Sequence, residues 1–151
     1  MKNFINTFQN CKYYIKSGDE LSKPYYTAKG VTQGSSVSAC LFNLFVSDLP
    51  QYLTQQGPYL NKTEIKYIQY ADDLVLLASS AKELQRSIDD LYKYCNENCL
   101  SINLKKTKVL IMGLGRLAKC NFTLNGNPIE KVRCFKYLGF IFLQDYPLRS
   151  T

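Results

Sequence analysis

The stretch "KYIQYADDLVLLAS", residues 66–79, decides how this chain is read. Asp72 and Asp73 stand side by side, with Tyr67, Ile68 and Tyr70 before them and Leu74, Val75, Leu76 and Leu77 after. Aromatic and aliphatic residues on both sides of a short break read as two strands, 65–70 and 74–78, joined through Ala71-Asp72-Asp73. Neighbouring carboxylates repel each other and resist leaving water, so burial in so apolar a setting calls for a positive partner. A strand–turn–strand that projects two carboxylates suits a divalent cation, because Mg²⁺ takes one or two protein carboxylates together with substrate phosphates. A solvent-exposed Asp-Asp turn with no ligand is the plain alternative.

Downstream, Ser80-Ala81-Lys82-Glu83 has the form of a capping box and predicts a helix over about 81–97. Leu84, Ile88, Leu91 and Cys95 form its expected buried stripe, and Asn98 its C′ residue. Leu100–Leu104 and Lys108–Met112 read as strand pieces around the basic cluster Lys105, Lys106 and Lys108. Asn125-Gly126, between "NFTL" and "PIEKV", signals a type I′ hairpin. "CFKYLGFIF", 134–142, makes a final strand or a tight hairpin around Gly139.

Upstream, residues 3–16 suit a short helix running into a strand. A turn is expected at Ser17-Gly18-Asp19, and Pro24 opens an extended approach to Gly30. From Ser36 to Leu49 the pattern is apolar nearly all round, which predicts a buried helix capped by Ser35 or Ser36 and ended by Pro50.

The chain has 151 residues, enough for one domain's core. No apolar run is long enough to span a bilayer, and the amino terminus lacks the shape of a signal peptide. A net charge of +7 suits a polyanionic partner without demanding one. The six cysteines have no regular spacing, and no histidine accompanies them. They read as reduced structural thiols in preference to a disulfide set or a zinc site.

Other stretches carry chemistry more weakly. "GVTQGSS", 30–36, puts two glycines and small hydroxyls before a helix, which allows close approach to a phosphate or base. A plain glycine turn explains it as well, and the Gly-Lys-Ser/Thr ending of a P-loop is absent. The lysines at 105, 106 and 108 could line a phosphate path or simply form a solvated turn. Tyr137, Leu138 and Gly139 fit strand packing with a glycine kink.

Taken in order, these stretches resemble the reverse transcriptase domain of non-LTR retrotransposons over roughly residues 4–142. "GVTQGSSVSACLFNLFVSDLP" is similar to that family's motif B and "QYADDLVLLA" to its motif C hairpin. "LSINLKKTKVLIMG" resembles motif D, with Asn103, Lys106 and Thr107 in place, and "FKYLGFIF" resembles the primer-grip motif E. Thr32 and Ala39 stand where motif B usually has prolines, which loosens the loop but removes no chemistry.

The resemblance implies an α+β fold: a partial polymerase palm, with an antiparallel sheet whose central Asp-Asp hairpin packs on two helices. Residues 1–112 would hold motifs B, C and D. Residues 113–151 would form a hairpin and primer grip leading toward a thumb. The implied activity is RNA-directed DNA synthesis with two Mg²⁺ ions, an RNA template, a DNA primer and deoxynucleoside triphosphates, and no membrane. Asp72 and Asp73 would bind metal, Asp72 as the principal ligand, and Lys106 would act on the leaving phosphate. Gln33, Gly34 and Ser35 would border the nucleotide and template base. Tyr70, Tyr137, Leu138 and Gly139 would contact the primer.

The family's other essential aspartate belongs to motif A, upstream of motif B, and no acid here has an apolar strand context that could replace it. The expectation is therefore a polymerase fragment that is inactive and poorly soluble by itself, separated from its motif A strand, fingers and thumb. A non-catalytic nucleic-acid-binding remnant of a degenerate element is the alternative, and a structural domain with no ligand the third reading.

Overall fold

The computed structural model of the protein describes residues 12–26, 36–112 and 120–144. The chain forms two compact units, Met1–Asp48 and Leu49–Thr151. It is α+β throughout, built from short strands and a few helices.

In the first unit, β1 (Lys12–Tyr13) pairs antiparallel with β4 (Tyr25–Tyr26), and β2 (Lys16–Ser17) with β3 (Glu20–Leu21). Gly18 turns the β2–β3 hairpin at φ +61°, where the sequence predicts a turn. Helix α1 spans Ser36–Phe45. Of the stretch 3–16, read as a short helix running into a strand, residues 3–11 lie outside the described residues, as do the candidate cap Ser35 and the approach through 27–30.

Two expectations for α1 need correction. Pro50 does not end it: the helix stops at Phe45, and Pro50 sits in the first turn of a separate short helix, α2 (Leu49–Tyr52). Proline is tolerated there because a first-turn N–H has no helical acceptor to lose. Nor is α1 buried all round, since Val37 and Leu44 are about half exposed and Cys40 is exposed. An apolar pattern records a need for cover without supplying it.

The second unit is organised around α3, Ala81–Glu97, as the capping box predicts. Ser80 is its N-cap and accepts a hydrogen bond from the Glu83 amide at 3.2 Å. Glu83 answers by accepting from the amide of Ser79. At the other end the left-handed residue is Cys99 (φ +56°), one position beyond the expected Asn98. The Leu100 amide donates to the Cys95 carbonyl and the Cys99 amide to Asn96, a complete Schellman closure. Asn98 is buried and donates its side-chain amide back to the Tyr94 carbonyl, so it serves as the C-cap.

Helix α3 packs against a core of Ile88, Val109, Phe122, Leu124 and Ile129. Fully burying each such side chain contributes about 1.5–3 kcal/mol. Of the expected stripe, Ile88 and Cys95 are buried and Leu84 is partly buried against this core, while Tyr94 is the most buried residue on the helix. Tyr94 also meets Tyr52 of α2 edge to face, with ring centroids 4.8 Å apart.

Among the described residues the strands of this unit pair two by two. β5 (Tyr59–Leu60) pairs with β6 (Thr63–Glu64), β7 (Tyr67–Tyr70) with β8 (Asp73–Leu76), and β9 (Lys108–Leu110) precedes β10 (Thr123–Leu124) and its partner β11 (Asn127–Pro128). β12 (Glu130–Val132) pairs with β9, and β13 (Cys134–Tyr137) with β14 (Phe140–Leu143). All these ladders are antiparallel except β9–β12, which is parallel. Asn125 and Gly126 both have positive φ, as a type I′ turn requires.

Leu100–Leu104 is not a strand. Asn103 organises a turn there instead, its backbone carbonyl accepting from the amides of Lys106 and Thr107 and from the Thr107 hydroxyl. An asparagine that caps its own following amides outcompetes a strand ladder.

Candidate functional site

Hairpin β7–β8 presents the paired aspartates. Its register sets Tyr70 opposite Asp73, leaving Ala71 and Asp72 as a two-residue loop. Side chains directly opposite one another share a sheet face. One face therefore carries Tyr70 and Asp73 with Ile68 and Val75, and the other carries Tyr67 and Gln69 with Leu74 and Leu76. Leu76 packs against the α3 core. Tyr70 and Ile68, at 66% and 47% exposure, lie open to solvent.

At the tip, Ala71 has φ +51°, a left-handed conformation that costs a non-glycine residue about 1–2 kcal/mol. Asp72 does not share the positive φ. The carboxylates of Asp72 and Asp73 are both exposed, and among the described residues neither has a hydrogen-bond or ion-pair partner. The aspartates project into water from an apolar hairpin, as in the exposed-turn alternative, so the cost of burying them is not incurred. Two exposed oxygen-ligand side chains on a fixed turn fit a hard cation that keeps several waters. Among the described residues no group of three acidic, cysteine or histidine side chains is placed to hold a metal.

The second hairpin, β13–β14, resolves the alternative left open for residues 134–142. Its loop is Leu138-Gly139, at φ +48° and +87°. The Tyr137 hydroxyl donates to the backbone carbonyl of Asp73 at 3.3 Å, which brings the two hairpins into contact. Burial, and secondarily the negative charge of Asp73, raise the Tyr137 pKa above its ordinary value. The hydroxyl therefore stays a donor at neutral pH.

Lys106 sits on the Asn103 turn, where its amide also faces the Asn103 side-chain oxygen at 3.2 Å, and its ammonium has no partner among the described residues. Its neighbour Lys108 is engaged in an ion pair with Glu130 across β9–β12. Gln33, Gly34 and Ser35 lie outside the described residues. The structure thus gathers Tyr70, Asp72, Asp73 and Tyr137, with Leu138 and Gly139 on the same second hairpin.

Gln69 is a residue the sequence reading missed. Its side-chain amide donates to the Ala71 carbonyl at 3.0 Å, tying the strained tip to the inner face of β7. The available signal was its position, inward by alternation and next to the last residue of the strand.

A model of the family described as reverse transcriptase (RNA-dependent DNA polymerase) matches residues 2–142. The chain belongs to the reverse transcriptase family. Its relatives place it with the non-LTR retrotransposons. It is 28% identical, over 94% of its length, to a retrovirus-related Pol polyprotein from the type-1 retrotransposable element R2 of Popillia japonica. It is 26% identical, over 93% of its length, to the RNA-directed DNA polymerase from mobile element jockey of Drosophila funebris. The R2 polyprotein of Nasonia vitripennis is 27% identical over 99% of the chain. The chain spans only 25%, 15% and 16% of those three proteins. Among the described residues no helix is long and apolar enough to cross a membrane.

Proposed function

We propose that this chain is part of the palm of an RNA-directed DNA polymerase, and that the β7–β8 tip is its contribution to the catalytic centre. The observation that carries this reading is the pair of exposed carboxylates, Asp72 and Asp73, without a partner among the described residues, on a strained two-residue turn within a sequence matched by the reverse transcriptase family.

In this reading Asp72 and Asp73 hold Mg²⁺, with Asp72 the principal ligand. Two such ions, when bound, supply activation of the primer 3′-hydroxyl and neutralisation of the leaving pyrophosphate. Lys106, exposed and without a partner for its ammonium among the described residues, donates to the departing phosphate. Tyr70, on the face of Asp73, lies beside the primer end, and Tyr137, Leu138 and Gly139 steady the primer strand. Gln33, Gly34 and Ser35 border the incoming nucleotide and template base. RNA template, DNA primer and deoxynucleoside triphosphates are the corresponding partners, together with the rest of the polymerase. Residues 1–112 form the palm portion and residues 113–151 the hairpin and primer grip.

The test is primer extension by a complete polymerase carrying this segment. Asp72→Asn should abolish extension, and Asp73→Asn should reduce it less. Wild-type rates for Asp72→Asn would remove the metal-ligand assignment.

A second reading follows from the net charge of +7, which suits a polyanionic partner: the chain alone binds a primer–template duplex without extending it. Such binding should weaken steeply with salt. Extension by the isolated chain would exclude this reading.

A further inference from the structure

Within the proposed metal-binding reading, we infer that Tyr137 and Gln69 are positioning residues that brace the aspartate turn at its two ends. The Ala71 carbonyl belongs to the peptide group entering Asp72, and Gln69 donates to it at 3.0 Å. The Asp73 carbonyl belongs to the peptide group leaving Asp73, and the Tyr137 hydroxyl donates to it at 3.3 Å. Each donor thus grips one of the two peptide groups that bracket the carboxylate pair.

The turn needs such bracing for two reasons. Ala71 is held at φ +51°, and a non-glycine residue left to itself would relax out of that region. The acidic side chains themselves have no partner among the described residues, so nothing beyond the backbone fixes their direction. A ligand pair on a loose tip samples many orientations, and metal binding must then order it. Gln69 supplies the brace from within the hairpin. Tyr137 supplies it from 64 residues away, so the β13–β14 hairpin sets the aim of Asp72 and Asp73 in addition to any contact of its own with the primer. Tyr137 then has its hydroxyl committed to the turn, which leaves its ring, with Leu138 and Gly139, for the proposed primer contact.

The experiment uses the full chain with two near-isosteric variants, Tyr137→Phe and Gln69→Met, which remove the donors and keep most of the packing. Hydrogen exchange of the amides at 70–74 is measured without metal. Mn²⁺ affinity is then measured from paramagnetic broadening of the same amides. Each variant should speed exchange at the tip by roughly three- to tenfold, the range for losing one neutral hydrogen bond. Protection across 81–97 should be unchanged, and Mn²⁺ affinity should fall by a similar factor. Unchanged exchange at 70–74 in both variants overturns the brace. Faster exchange in a chain whose wild-type tip fails to broaden with Mn²⁺ supports the brace and rejects the metal-holding reading instead. A fold-wide loss of protection in Tyr137→Phe would mean the hydroxyl is a general structural tie, and the positioning role would fall.

Discussion

Hairpins β7–β8 and β13–β14 are nearly the same object locally. Each has two four-residue strands in uninterrupted antiparallel register around a two-residue loop. Their surroundings differ. The inner face of β7–β8 leans on the α3 core through Leu76, whereas every residue of β14 is exposed, Phe140 and Ile141 at 72% and 66%. Their loops differ as well. Both place a non-glycine residue first at a positive φ, Ala71 and Leu138, but the second follows it with Gly139, where φ +87° costs no side-chain clash, while Asp72 in the first does not share the positive φ. Hairpin geometry is thus set by turn and register. Whether a hairpin is stable, and what its tip can do, is set by what lies underneath it.

The largest expected effect comes from removing that support. Ile88→Ala should destabilise the second unit by about 2–5 kcal/mol, because Ile88 is buried at the centre of the core that Leu76 joins. Urea unfolding should show it, with protection lost first in 67–76. If β7–β8 kept its protection, the hairpin would not depend on α3. Gly57→Ala tests the approach to the same hairpin. A Cβ at Gly57 would overlap the Ile65 carbonyl, backbone that cannot swing aside, so a loss of about 1–3 kcal/mol is expected in the same assay.

Exchanging the loop chemistries should have opposite signs. Gly139→Ala should cost about 1–2 kcal/mol, since its Cβ meets no neighbour and only the left-handed backbone resists it. Ala71→Gly should be neutral to slightly stabilising, relief of strain being offset by roughly 0.5–1 kcal/mol of glycine entropy. Equal effects at the two positions would show that the loops are not distinguished by strain. On the uncovered hairpin, Phe140→Thr should change stability by less than about 0.5 kcal/mol while lowering aggregation, read by light scattering.

Thiol labelling followed by peptide mapping gives the mildest contrast. Exposed Cys134 on β13 should react promptly, and Cys95 only as the unit unfolds, because burial both hides its sulfur and raises its pKa. Prompt labelling of Cys95 would contradict the packing of α3.

What was legible in the sequence was local. The start of α3 followed from Ser80 and Glu83, the β10–β11 turn from Asn125-Gly126, and the aspartate hairpin from the apolar residues around Ala71-Asp72-Asp73, although Asp73 proves to be the first residue of β8. The order of motifs carried the family. Three features were not legible, each for a physical reason. The strand expected at Leu100–Leu104 gave way to a turn closed mainly on the Asn103 backbone carbonyl, which apolar patterning does not register. The exposure of α1 depends on what covers it, which its own residues do not state. The link from Tyr137 to Asp73 joins positions 64 apart, and no local pattern encodes it. The metal-binding and primer-contact roles rest on the family resemblance in the same way, since the spacing of two aspartates suits a bare turn equally well.

The parallel ladder β9–β12 bears on how the unit assembles in time. Each tight hairpin of the unit closes a two-residue loop, an event of microseconds. Lys108, Val109 and Leu110 must instead wait for Glu130, Lys131 and Val132, which arrive only after β10 and β11 have been formed and folded back. Val109, and Ile129 just before β12, belong to the core that supports β7–β8. The aspartate hairpin can therefore form early as an isolated element yet gain its lasting support late, when the longest-range strand ladder among the described residues of the unit closes. Until then its apolar inner face is open to solvent and to other chains, and that interval is when the unit is most exposed to misassembly.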